Sequence, residues 1–258
     1  MRRMMVWLFS GAVAAALTVL VFLPATWLSV LVQQQTGGRL ALGDAQGTLW
    51  RGSAFIGGAP GGSDPLTPLL PGRFSWRLSP TVLLGRVDAE LQNPEALLQP
   101  VHLSGSWNEW QISPAAIVLP AERLAGLGMP LNTILPSGQM RLSWDRLQLA
   151  RQGPDAGLTS SLLLQMTNIA SRLSPVKPLG AYRLTMDWHG RKAMLALQTE
   201  QGPLLLNGRG TVDNGRFQFS GRAEAAAGEE ERLANLLNLL GQRRTEDGKT
   251  FIALEFRQ

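Results

Sequence analysis

Acid–base, nucleophilic and metal chemistry all need histidine, cysteine or carboxylate groups brought together, and this chain of 258 residues is poor in the first two. It has no cysteine and two histidines, His102 and His189. Without cysteine there are no disulfides, no thiolate zinc sites and no cysteine nucleophile. The histidines stand in no HExxH-type spacing, so a metal site is not written in the sequence. His189 precedes Gly190 in an expected turn, where a solvated imidazole accounts for it. No GxSxG elbow presents a serine. Gly248-Lys249-Thr250 ends like a phosphate loop, but Arg243 stands where that loop needs its first glycine. Gly208-Arg209-Gly210 opens like a dinucleotide fingerprint, yet Asp213 replaces the third glycine. Both stretches read as turns. The expectation is a protein that is not an enzyme and holds no cofactor and no metal.

The aromatic residues are the more informative set. Trp50, Trp76, Trp107, Trp110, Trp144 and Trp188 are spread over expected strands, and Tyr182 is the single tyrosine. One reading is core packing, since each ring buries roughly 150–250 Å². The other is an apolar groove that takes a lipid or a partner segment. Trp50, Trp76, Trp144, Tyr182 and Trp188 are the candidate structural or groove aromatics. Net charge is +5, too small and scattered for a nucleic-acid footprint, so no nucleic-acid partner is expected.

Two kinds of element must position these residues. From Met4 to Gly38 the chain has no charged residue. Residues 4–23, about 20 in number, would rise about 30 Å as a helix, the thickness of the hydrocarbon layer. Met4, Trp7, Phe9, Leu17, Leu20, Phe22 and Leu23 would form this anchor, with Arg2 and Arg3 holding a cytoplasmic terminus at 1–3 by the positive-inside rule. Trp7 and Trp27 lie near its two ends. A cleaved signal peptide is the competing reading. It is disfavoured because Leu23 is too bulky for the −3 position of a cut after Ala25. Residues 24–38 then form a juxtamembrane segment, and 39–258 a periplasmic domain.

In that domain the pattern changes to period two. Phe74, Trp76 and Leu78 alternate with Arg73, Ser75 and Arg77. Leu142 and Trp144 alternate with polar neighbours, as do Tyr182, Leu184, Met186 and Trp188, then Leu204 and Leu206, then Phe217 and Phe219. Each run reads as half-buried strand. His189-Gly190, Gln201-Gly202-Pro203, Asn207-Gly208 and Asn214-Gly215 read as reversals, so 180–221 should be a meander of about four strands. Gly57 to Pro71 reads as an exposed loop. Helices are expected at Pro120 to Leu127, with proline in the first turn, and at Glu229 to Leu240, with Leu233, Leu236, Leu237 and Leu240 as its apolar stripe. A last strand from Thr250 to Phe256 would close the sheet. The expected fold is thus mainly β (β-rich α+β), with a single N-terminal transmembrane helix, a curved antiparallel sheet and two short helices. Pro71-Gly72-Arg73-Phe74-Ser75-Trp76 is similar to Ser137-Gly138-Gln139-Met140-Arg141-Leu142-Ser143-Trp144, which raises an internal repeat of roughly 39–136 and 137–258.

The order of short motifs resembles a known family. The anchor followed by Leu23-Pro24-Ala25 and Trp27, then Gly47-Thr48-Leu49-Trp50-Arg51-Gly52, is similar to the N component of type II secretion systems. So are Trp76-Arg77-Leu78-Ser79-Pro80 with Leu83-Leu84-Gly85, Leu119-Pro120-Ala121 with Leu124, Pro178-Leu179-Gly180-Ala181-Tyr182, and Gly202-Pro203-Leu204-Leu205-Leu206-Asn207-Gly208-Arg209-Gly210. The resemblance spans nearly the whole chain. It implies a non-catalytic, single-pass inner-membrane component of the general secretion pathway, with its C-terminal domain in the periplasm. Its partners would be other type II secretion system proteins, in the export of folded proteins from the periplasm. A more distant similarity to AsmA-type β-groove proteins implies the alternative, a periplasmic lipid-binding groove with phospholipid as partner.

Overall fold

The structure is a computed structural model that describes residues 2–36, 40–58, 67–127, 134–151, 156–246 and 249–257. Two helices come first, α1 (Arg2–Val21) and α2 (Thr26–Gln35). The strands are β1 (Leu40–Gly47), β2 (Arg51–Gly58), β3 (Thr67–Pro68), β4 (Phe74–Leu78), β5 (Arg86–Gln92), β6 (Val101–Ser106), β7 (Glu109–Ile112), β8 (Ala115–Pro120), β9 (Pro136–Trp144), β10 (Leu147–Ala150), β11 (Gly157–Ser171), β12 (Gly180–Gly190), β13 (Lys192–Gln201), β14 (Leu204–Asp213), β15 (Arg216–Ala225), β16 (Gln242–Glu246) and β17 (Lys249–Arg257). A third α-helix, α3 (Glu230–Leu240), lies between β15 and β16.

All seventeen strands belong to one antiparallel sheet. β7 and β8 form one broken rung, and β9 and β10 form the next. Ile112 pairs with Leu147, and Ala115 with Trp144. Pro114 at the first break has no N–H to offer a ladder. β11 pairs with that second rung on one side and with β12 on the other. Space therefore follows sequence: β1, β2, β4, β5, β6, β7–β8, β9–β10, β11, β12, β13, β14, β15. The order departs from sequence at the end, where β17 inserts beside β15 and leaves β16 outermost. β17 extends the expected last strand by a residue at each end. It does not close the sheet.

The meander expected at 180–221 is present as β12–β15, with reversals at Gly190–Arg191, Gly202–Pro203 and Asn214–Gly215. Asn207-Gly208 is not a reversal. It lies inside β14, where Gly208 makes room for a ring: a Cβ there would meet Phe219 Cζ at 2.5 Å. Gly210, also read as a turn, is in the same strand, and its Cβ would meet Phe219 Cδ2 at 3.0 Å. These glycines serve cross-strand packing.

Other expectations shift as well. Pro120 ends β8, and the turns that follow it (Ala121–Leu127) are 3-10. A further 3-10 segment, Pro80–Leu84, joins β4 to β5. Within the loop expected at Gly57 to Pro71, β2 runs on to Gly58, Thr67–Pro68 forms β3, and 59–66 lie outside the described residues. Thr250 starts one residue into β17, and Gly248 is outside the described residues. The segment 24–38 contains α2. Trp50 and Trp107 occupy turns, not strands. Among the described residues no helix is long and apolar enough to cross a membrane. The side chains of Arg2, Arg3, Met4 and Leu17 lie outside the described residues.

Apolar packing concentrates in two places. Phe74, Val101 and Ala115 pack with Ala96 and Leu97 from the β5–β6 connection. At the far corner α3 buries Leu233 and Leu236 against Val176, Leu179 and Leu204, with Leu237 and Leu240 also bearing on Ala223, Ile252 and Leu254. The leucine stripe read from the sequence is the face that docks. Leu233 is fully buried and Leu239 is 68% exposed. Leu233→Ala should therefore cost about 2–5 kcal/mol and Leu239→Ala no more than about 0.5 kcal/mol, measured by urea unfolding; equal effects would refute this orientation of α3.

Candidate docking surfaces of the sheet

Directly paired residues in an antiparallel ladder share a face, and residues two apart along a strand share it too. Following the register from one rung to the next assigns both faces. One face carries Ala54 opposite Phe74, then Trp76 opposite Leu91, Leu103 opposite Ile112, and Trp144 opposite Leu162. It continues through Met186, Leu195, Gly210 and Phe219 to Phe256. This face is apolar from β2 to β17. The other face carries Arg77 opposite Glu90, Glu90 opposite His102, Arg183 opposite Gln165, and Arg209 opposite Ser220.

The apolar face is only partly covered. α3 seals the corner at Leu204 and Ala223, while Leu164, Leu184, Met186, Leu195, Leu197 and Phe217 remain half-buried. Phe217 and Phe219 stack with centroids 6.4 Å apart, and Phe219 meets Phe256 at 6.2 Å.

The candidate aromatics divide by what their polar atoms do. Trp76 Nε1 donates to Leu49 O at 3.0 Å, and Trp144 Nε1 to Ser113 O at 3.0 Å. In both cases the indole ties down the chain just before the neighbouring strand. Trp50, in the β1–β2 turn, donates to Leu20 O of α1 at 2.8 Å. Tyr182 is 2% exposed, and its hydroxyl donates to Leu204 O at 3.0 Å. Burial pushes this phenol far above its ordinary pKa of 10.0, because a phenolate there would lose its water. Trp188 is half-buried on the apolar face, opposite Ser160 and Ala193. Trp110 Nε1 is buried with no hydrogen-bond partner among the described residues. Five of these rings, Trp76, Trp110, Trp144, Tyr182 and Trp188, share the apolar face. Trp50 does not join them.

Of the anchor set, Trp7, Phe9 and Phe22 are exposed, and Leu20 and Leu23 are half-exposed at the end of α1. The chain leaving α1 is bonded to the sheet: Leu49 N donates to Leu23 O at 2.8 Å, and Ala25 N to Gly47 O at 3.1 Å. Sequence reasoning missed that attachment. Trp50 carries the attachment, and the sequence reading sets it on a strand, not at the turn where it reaches α1.

On the polar face a cleft of about 700 Å³ is walled by Arg209, Arg222, Arg244 and Glu255. Arg244 pairs with Glu255 at 3.2 Å, and Arg222 lies 4.4 Å over Phe251. His102 and His189 sit exposed on β6 and β12. Among the described residues no three His, Asp or Glu side chains are grouped to hold a metal ion.

Comparison with known proteins matches residues 38–253 to one family, described as type II secretion system (T2SS), protein N. The match spans most of the chain and bears out the resemblance carried by the short motifs. No curated protein and no solved structure matches the chain.

Tyr182 is the single tyrosine, so phenolate absorbance reports on it alone. Its pKa is raised in the folded state, so its contribution is complete below pH 10.0 and is lost as pH rises beyond that value. Stability should fall there by about 1.4 kcal/mol per pH unit. Phenolate should appear only together with unfolding; a smooth titration near the ordinary value in folded protein would refute this burial.

Proposed function

Because the chain belongs to the type II secretion system protein N family, we propose that it serves as a non-catalytic, membrane-anchored component on which other secretion components dock. The supporting observation is that the sheet stays open. Among the described residues β1 forms a ladder with β2 alone, and its Leu40–Gly43 stretch carries no charge. Leu40 spends both its N–H and its C=O on the Thr36 hydroxyl; beyond it, an uncharged edge strand is suited to the addition of an incoming strand. At the opposite edge β16 carries Arg243, Arg244 and Glu246, charges that discourage indiscriminate pairing.

In this reading α1 crosses the inner membrane. Met4, Trp7, Phe9, Leu17, Leu20, Phe22 and Leu23 face lipid, and Arg2 and Arg3 stay in the cytoplasm. The sheet domain, residues 39–258, lies in the periplasm, where secreted proteins fold before export, and its two halves, 39–136 and 137–258, descend from a duplication. The chain needs no cofactor.

A second reading, phospholipid held on the apolar face, is favoured by one observation. Half-buried apolar side chains continue from rung to rung well beyond the corner that α3 covers. Soluble monomers rarely leave a large continuous apolar area uncovered.

A photoreactive residue at Ala41, introduced in cells that carry the assembled system, should form an adduct with a secretion component, and one at Thr245 should not. No adduct at either position, or adducts with unrelated proteins alone, would count against docking at the β1 edge. For the second reading, protein purified in mild detergent should release phospholipid under native mass spectrometry; protein free of lipid would end it.

A further inference from the structure

The β1–β2 turn lies against the last turn of α1, because Trp50 donates to Leu20 O and Leu49 to Leu23 O. In an up-and-down meander, alternate connections fall at the same end. The β1–β2 turn, the Pro80–Leu84 segment and the β6–β7 turn therefore share the end that faces α1. Hydrogen bonds link them: Leu78 N donates to Trp50 O at 2.7 Å, and Trp107 Nε1 to Val82 O at 2.8 Å.

This end projects large apolar side chains that stay exposed among the described residues. Leu84 is 88% exposed, Leu83 49% and Trp107 55%; Trp27, at the start of α2, is 65% exposed. Core packing does not account for them: the bond to Val82 O fixes the Trp107 ring but leaves more than half of it exposed, and Leu84 and Trp27 are more exposed still. Ser79 caps the segment, accepting a hydrogen bond from Thr81 N, and Gly85 closes it in the left-handed conformation with φ of 85°. The two leucines are thus held on a rigid tip.

Basic residues stand just behind the tip. Arg86 follows Gly85 and is exposed. Arg51 and Arg77, both exposed, are paired directly across β2 and β4. Like charges placed directly opposite destabilise a sheet. Glu90, opposite Arg77 on β5, and Asp88, two residues beyond Arg86, offset part of this charge. The three arginines still outnumber the two carboxylates, an excess that suits an anionic group outside the fold.

We infer that this end of the sheet is a membrane-docking rim. Leu83, Leu84 and Trp107 enter the interfacial layer of the periplasmic leaflet, and Arg51, Arg77 and Arg86 hold the phosphates of anionic phospholipid. The inference rests on the reading that α1 spans the membrane, which sets its last turn, and so the rim, at headgroup depth. Apolar insertion and basic attraction reinforce each other at an anionic surface.

The cysteine-free chain allows a direct test. Single cysteines are introduced into the full-length protein by Val13→Cys, Leu84→Cys and Leu173→Cys, at α1, the rim and the opposite end of the sheet. Each variant is labelled with an environment-sensitive fluorophore. The labelled proteins are reconstituted into vesicles of phosphatidylethanolamine and phosphatidylglycerol that carry nitroxide lipids. Position 84 should be quenched several-fold more than position 173, and less so when phosphatidylcholine replaces phosphatidylglycerol. If position 13 is quenched while 84 matches 173, the rim is refuted and the anchor stands. Quenching at 84 that is indifferent to lipid charge refutes the arginine contribution. If position 13 escapes quenching, the anchor fails and the rim fails with it.

Discussion

Parity of register is the constraint on which the fold depends. Side chains in a strand alternate between faces, so a one-residue slip in any rung would carry its whole apolar set to the polar side. Here the set stays in phase from β2 to β17 despite interruptions, because the interruptions come in matched form. Ser113-Pro114 breaks one rung and Asp145-Arg146 breaks the next, so Ile112 still faces Leu147 and Ala115 still faces Trp144. Relative to β11 the second break adds one residue, which returns Leu147 and Leu149 to the face of Trp144. On β11 both neighbours shift register around Thr167-Asn168, with Asn168 at a φ of 53°. A bulge that perturbs both flanks together leaves them in step with each other.

Legibility follows from the same physics. Period-two runs in β4, β9, β12 and β15 are local signals, and each was readable from a few residues. The stripe of α3 was readable for the same reason, since Leu233, Leu236, Leu237 and Leu240 recur at helical spacing. Meaning that depends on a partner strand was not. Asn207-Gly208 has the composition of a hairpin turn, but its glycine is spent on the ring of Phe219 across the ladder. The place of β17 between β15 and β16 is likewise set by register with a strand about thirty residues earlier, so closure of the sheet could not be judged from the strand itself.

The aromatic residues show how two readings weighed against each other can describe parts of one arrangement. Trp76 and Trp144 each spend their N–H on a carbonyl beside the next strand, a structural use that fixes where that strand starts. Their rings still lie on the apolar face. Tyr182 is a core residue in the strict sense, buried and bonded to Leu204 O. Trp188 is not. It stays half-buried in the middle of the apolar face, together with Met186 and Leu195. Core and surface grade into each other along the sheet because α3 covers one corner alone.

Rigid attachment of the sheet to α1 changes what docking costs. In the proposed arrangement a flexible linker would let the domain tumble above the membrane, and every partner would have to arrest that motion as it bound. Here the chain is instead tied to the sheet as soon as it leaves α1, before α2 begins, because Leu23 and Ala25 are bonded to Leu49 and Gly47 at the β1–β2 turn. Trp50 adds a third tie at Leu20. The β1 edge and the apolar face would thus be held at a fixed height and tilt over the bilayer. Part of the orientational cost of assembly would be met when the domain folds, before any partner arrives. Preorganisation of that kind favours partners that are themselves anchored, because two tethered surfaces meet at a high effective concentration only when their geometries already agree.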